Sequence, residues 1–173
     1  MTIYDTAHPL FFATLFQAWF ASADSLAAGC PAAADLPLRV MDAAMKPPLP
    51  SAVIVVMENG SKGAKRVVTV SVQIFNGIKA ASEAAADVEW QTSLATVSGW
   101  LVQMERRMRM MNDVADGATT IKGWKSWLLA QSSASTQGWR AMKFVHDGLG
   151  TPKRKDETTL IHSFSFDLHY ALV

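Results

Sequence analysis

From Leu160 to Leu172 the chain alternates in character. Leu160, His162, Phe164, Phe166, Leu168, Tyr170 and Leu172 share one parity, and Ser163, Ser165, Asp167 and His169 share the other. A two-residue period sends the sets to opposite faces of a strand, whereas a helix would scatter both around its circumference. A strand with one dry face belongs in a sheet backed by other elements, so this segment constrains the fold more than any other. The segment Val67 to Phe75 repeats the pattern, with Val68, Val70, Val72 and Ile74 alternating with Thr69, Ser71 and Gln73. Val53 to Met57 is β-branched on both parities and reads as a strand covered on both faces. Between these two, Glu58 to Gly63 carries turn chemistry, which predicts an antiparallel hairpin with an exposed loop at Asn59 to Lys65.

Two further segments have helical spacing. Pro9 suits a first helical turn, and Leu10, Phe11, Thr14, Leu15, Ala18, Trp19 and Ser22 then form one broad face, until Gly29 and Pro31 stop the helix. Ser82 is a predicted cap, with Glu83, Asp87 and Glu89 near the positive end of the helix it opens. Trp90, Leu94, Val97, Leu101, Met104, Met108 and Met111 follow in alternating steps of four and three. A coiled coil and a long helix lying across a sheet both produce such a seam. Arg106, Arg107 and Arg109, with Glu105, lie off the seam near the carboxyl end and read as a solvated face, at least two of the three arginines being wet.

The remaining segments are less regular. Leu36 to Met41 fits a short strand, and Pro47, Pro48 and Pro50 impose an extended lead-in to Val53. Trp124 to Ala130 fits either a strand or a short helix, and Gln131 to Gln137 reads as a connection. Trp139 to His146 reads as a strand, Asp147 to Pro152 breaks it, and Lys153 to Glu157 is a charged, exposed hairpin tip. The order predicts one α+β domain over 1–173: a largely antiparallel β-sheet, with an N-terminal helix and a long central helix packed on one face.

Composition then limits the chemistry. Sixteen Lys+Arg against fifteen Asp+Glu leave a net charge of +1, so no global field drives binding to nucleic acid or acidic lipid. Cys30 is the lone cysteine, which excludes a disulfide within the chain and disfavours a cysteine zinc site. It follows a helix end, where nothing local lowers its pKa, and reads as inert. The apolar run Leu10 to Leu26 lacks a preceding Lys or Arg and is interrupted by Gln17 and Asp24. It is a poor export signal and too short to span a bilayer, and the expectation is a soluble intracellular protein. Ala28-Gly29-Cys30 is a weak lipoprotein-type match, with Ala27 where a large aliphatic is usual.

Catalytic motifs are sparse. The sequence has no phosphate-binding glycine loop, no Gly-x-Ser-x-Gly and no histidine pair at helical spacing. His162 and His169 have opposite parity on one strand and cannot share a metal; His162 reads as a hydrogen-bonded core residue. Asp167 and His169 are two apart on the polar face, but no nucleophile is tied to them. The expectation is a protein that is not an enzyme and needs no cofactor.

The stretch Gly138-Trp139-Arg140-Ala141-Met142-Lys143-Phe144, followed by the charged hairpin and the alternating strand to Val173, resembles the end of the tail terminator (tail completion) proteins of long-tailed bacteriophages. The Val67 to Phe75 strand running into a long helix, after an amino-terminal helix, is similar to the same family. The segment Cys30 to Pro50 and the length of the helix depart from the pattern. The resemblance implies a structural ring, usually a homohexamer, that sits on the last ring of the tail tube, ends its polymerisation and offers a surface for head-tail joining. Its implied partners are further copies of itself, the major tail tube protein and a neck or head-tail connector. Specific nucleic-acid recognition and membrane binding are not implied, and DNA passes through the lumen. The implied location is the virion tail or neck, with host cytoplasm as the site of assembly.

Such a ring needs a rigid sheet, complementary subunit edges and loops that reach neighbours. The candidate interface residues are Lys153, Arg154 and Lys155, expected to contact an adjacent subunit or the tube protein, and Arg106, Arg107 and Arg109 wherever they meet an acidic neighbour. A neck or head-closure connector is the alternative within the same setting. An unrelated small α+β ligand-binding domain is the alternative outside it, and would require a pocket of convergent polar groups, such as His169, Asp167 and an arginine.

Overall fold

A computed structural model of the chain describes residues 9–40, 48–62, 65–78, 83–131, 139–156 and 158–172. The elements run in the order α1 (Pro9–Phe20), α2 (Ala23–Ala27), β1 (Leu38–Val40), β2 (Ser51–Lys62), β3 (Lys65–Gly77), α3 (Glu83–Arg109), β4 (Val114–Asp116), β5 (Thr119–Ile121), α4 (Trp124–Ala130), β6 (Trp139–Leu149), β7 (Lys153–Asp156) and β8 (Thr159–Leu172). The fold is α+β. Its main sheet has the order β1-β2-β3-β8-β6, with β7 also paired to β8. Every pairing in it is antiparallel except β1 with β2. β4 and β5 form a separate small hairpin.

The parity read from the sequence is the parity that is buried. Val68, Val70, Val72 and Ile74 of β3 and Leu160, Phe164, Phe166 and Leu168 of β8 join one core cluster. Helical residues complete that cluster: Phe12, Phe16, Trp19 and Phe20 of α1, Val97, Leu101, Met104 and Met108 of α3, and Trp124, Trp127 and Leu128 of α4. The α3 seam packs as a single helix along β3 and β8, which settles the choice between a coiled coil and a helix across a sheet. At 27 residues α3 spans about 40 Å, enough to cross the sheet from end to end. The ambiguous segment Trp124–Ala130 is a helix, because Trp124, Trp127 and Leu128 fall at helical spacing and are buried together.

Several boundaries differ from the sequence reading. The first helix breaks at Ala21–Ser22 instead of running on to Gly29. The Ser22 side chain caps a new helix by accepting from Ser25 N at 3.3 Å, while the Ser22 and Ser25 hydroxyls both donate to Trp19 O at 2.6 Å. Gly29 then ends α2 with φ +85°, a left-handed conformation that suits glycine. The loop expected at Glu58–Gly63 is mostly strand. Pairing runs on to Lys62 with Lys65, and the Asn-Gly pair makes a register shift between Glu58 and Gly60 instead of the turn.

The expected tip at Lys153–Glu157 is also strand for most of its length, since Lys153 pairs with Ile161, Arg154 with Leu160 and Asp156 with Thr159. β7 therefore continues the β6 side of β8, and the chain jogs between them at Gly150, whose N–H donates to Ser163 O at 2.7 Å. In β2, Ala52, Val53, Ile54 and Val56 are buried but Met57 is 54% exposed, so cover on both faces holds only for the first part of the strand. Ser82, the connection 132–138 and Glu157 lie outside the described residues.

Candidate assembly surfaces and the buried arginine

Of the three helix arginines, two are solvated and one is not. Arg106 is exposed, and Arg109 is exposed while its Nη2 pairs with Glu105 Oε1 at 2.5 Å, one turn back. A pair one helical turn apart, with the arginine in solvent, contributes only a few tenths of a kcal/mol, about 0.3 to 0.5. Arg107 is fully buried, which removes it from the candidate interface. Its Nε donates to Ser25 Oγ and its Nη1 to Lys122 O, both at 2.9 Å, and Cζ stands 3.4 Å from the centroid of the Trp19 ring. The seam reading missed this because Arg107 lies on the flank of α3, three residues from Met104, and the α1–α2 corner covers that flank. Burial pushes its pKa down to about 10, with Cys30 and Asp24 acting in the opposite sense, so it stays charged at neutral pH.

Around this cation the aromatic residues close ranks. Phe16 and Trp124 stack at 4.4 Å, and Trp19 meets both Trp124 and Trp127 edge-on at 5.5 and 5.3 Å. Gly123 caps α4 from a position where a Cβ would lie 2.3 Å from the Asn112 carbonyl carbon. Its N–H donates to Asp113 Oδ1 at 2.8 Å, and that bond, with a second from Ser126, holds the Asp113 carboxyl below the usual range. The group is a structural joint linking α1, α2, the end of α3 and α4.

The other titratable candidates are likewise held apart. His162 is a hydrogen-bonded core residue, as its parity predicted: its Nε2 donates to Gly150 O at 2.8 Å, and its Nδ1 lies 3.5 Å from Ser98 Oγ. Burial lowers its pKa, partly offset by the bond to Gly150. Asp167 accepts from Thr69 on the neighbouring strand at 2.6 Å. Cys30 is buried, and burial pushes its thiol up to about 12, far from a nucleophile's range.

Two clefts of about 570 and 500 Å³ have linings that contain neither Asp167 nor His169. Among the described residues no group of three or more His, Cys, Asp or Glu is placed to hold a metal ion, and no helix is long and apolar enough to cross a membrane.

What the described residues leave unpaired is strand backbone at the margins of the sheet. β1 covers β2 only at Ala52, Val53 and Ile54, and no described strand pairs with the outer edge of β2 from Val55 to Lys62. On the opposite margin β6 pairs only with β8, leaving its own outer edge without a described partner. Lys153 is exposed beside this margin; the side chains of Arg154 and Lys155 lie outside the described residues. Met57 and Val145, one on each edge strand, are among the exposed large hydrophobic residues at 54% and 40%. The sequence reading passed over both, although an apolar residue on the polar parity of a strand was the available signal. No protein-family model and no curated protein matches the chain.

Proposed function

We propose that this protein is a ring-forming structural component of a phage tail, a tail terminator that caps the tube, stops its growth and presents a surface for head joining. The observation that supports this best is a pair of strand edges, on opposite margins of one sheet, that no described strand covers. An exposed strand edge invites pairing with another chain, and unlike edges on opposite sides favour a head-to-tail contact that repeats until it closes. The titratable residues support the same reading. Arg107, His162, Asp167 and Cys30 are each engaged in packing or in bonds to neighbouring elements, and none of the four lines either of the two clefts described above. The order of elements that carries the resemblance to tail terminators recurs in the fold, with β3 leading into α3 and a β6–β7–β8 ending. Adding the purified protein to growing tail tubes tests the reading: tubes should stop at shorter lengths and carry a ring at one end.

A further inference from the structure

Following the ladder across the sheet, residue by residue, relates its two margins. Val55 pairs with Ser71, Ser71 with Ser165, and Ser165 with Gly148. At the other limit, Lys62 pairs with Lys65, Lys65 with Ala171, and Ala171 with Arg140. The stretch of β2 whose outer side no described strand pairs, Val55–Lys62, therefore stands level with Arg140–Gly148 of β6. Below that level β1 closes the β2 edge, while on the other margin β6 gives way past Gly150 to β7, which continues the same side of β8. The exposed apolar residues obey the same geometry: Met57 pairs with Thr69, Thr69 with Asp167, and Asp167 with Val145. Met57 and Val145 thus sit at one height and on one face, on opposite margins.

Strand direction adds a second condition. Each step from β2 to β3, β8 and β6 is antiparallel, so β2 and β6 run in opposite directions. A rotation about an axis along the strands carries a copy sideways without reversing it, and so brings β2 of one copy beside β6 of the next in antiparallel sense. Both edges can then be satisfied by one repeated contact, and the sheet continues from copy to copy.

We infer that copies of this chain assemble by edge pairing, Val55–Lys62 of one copy against Arg140–Gly148 of the next, with Met57 and Val145 meeting across the junction. The inference rests on the ring reading and names its contact. The stagger that closure of a curved sheet requires is taken in steps of two residues, which keeps both side chains on the same face.

Disulfide trapping in the otherwise wild-type chain tests the contact. The variant carrying Met57→Cys and Val145→Cys together should give, on oxidation, a ladder of covalent oligomers ending at the ring. Met57→Cys or Val145→Cys alone should give none, and buried Cys30 is a poor competitor. A second pair of variants guards against a cysteine placed out of reach. Met57→Lys and Val145→Glu should each weaken assembly about tenfold with an unchanged far-UV CD spectrum, and the two combined in one chain should restore it. Dimers from Met57→Cys alone would overturn the contact in favour of a symmetric β2–β2 pairing. Rings that form normally, without cross-linking or charge rescue, would overturn the edge contact while leaving the ring reading intact. Protein that stays monomeric and leaves tubes uncapped would overturn both.

Discussion

The guanidinium of Arg107 stands over the indole of Trp19, with Cζ 3.4 Å from the ring centroid, in a position sealed from solvent. The contact ties the carboxyl end of the long helix to the first helix. Through Ser25 Oγ and Lys122 O it also ties both to the α1–α2 corner and to the chain entering α4. A buried cation is costly unless it is well bonded, and here the Nη2 atom has no acceptor among the described residues. The stack on Trp19 and the hydrogen bonds from Nε and Nη1 work against that cost.

Arg107→Ala should therefore destabilise the protein by about 3 kcal/mol, since it removes the stack, both bonds and the packed volume. Arg107→Lys should fall between the two, at about 1–2 kcal/mol, because an ammonium keeps the charge but lacks the planar fork. Urea unfolding with an unchanged m-value measures both, and a loss below about 0.5 kcal/mol for the alanine variant would show that the joint is dispensable.

Two glycines should respond in opposite directions. Gly99 is in the middle of α3 with nothing within 4 Å of where a Cβ would stand, so Gly99→Ala should stabilise by about 0.5–1 kcal/mol. Gly123→Ala would drive a methyl against the Asn112 backbone and should cost several kcal/mol, about 2 or more. Thermal unfolding of the pair reads the contrast directly.

The stability of the core should depend on His162 in mild acid. Its folded pKa lies below the ordinary histidine value of 6.5, so the unfolded chain binds the proton more readily. The contribution of neutral His162 is complete above about 6.5 and is lost as pH falls through the lower folded value. Comparing the wild type with His162→Gln by thermal unfolding from about pH 7.5 to 5 should show a steeper fall in Tm for the wild type. Parallel curves would remove His162 as the source.

The basic strand gives a functional prediction. Replacing Lys153, Arg154 and Lys155 together by Ser should leave the fold intact, since Lys153 is exposed and backbone pairing to β8 needs no particular side chain there. Docking onto tubes should weaken by about tenfold if these cations meet acidic groups of a neighbour. Unchanged capping would remove the segment from the contact.

Strand and helix identity were legible in the sequence wherever a period ran unbroken, as in Leu160–Leu172 and the Trp90–Met111 seam. Periodicity reports which side of an element is covered by its main partner, and these elements each have one. It failed at Arg107, where a second partner, the α1–α2 corner, covers a flank that the seam alone leaves wet. It failed again at Asn59–Gly60, because the same residues that favour a turn also accommodate a bulge, and only the pairing on both sides decides between them. The edges that no described strand covers were not legible at all. They depend on which strands are neighbours and how far each partner extends, a property of sheet order that no single segment carries.

Negative-stain imaging of growing tail tubes, with and without the purified protein, tests the central claim most directly. A tail terminator gives closed rings of uniform size seated at one end of the tubes, together with a length distribution cut short in proportion to the protein added. Tubes that lengthen as before and bear no terminal ring, beside a protein that remains monomeric, would contradict it.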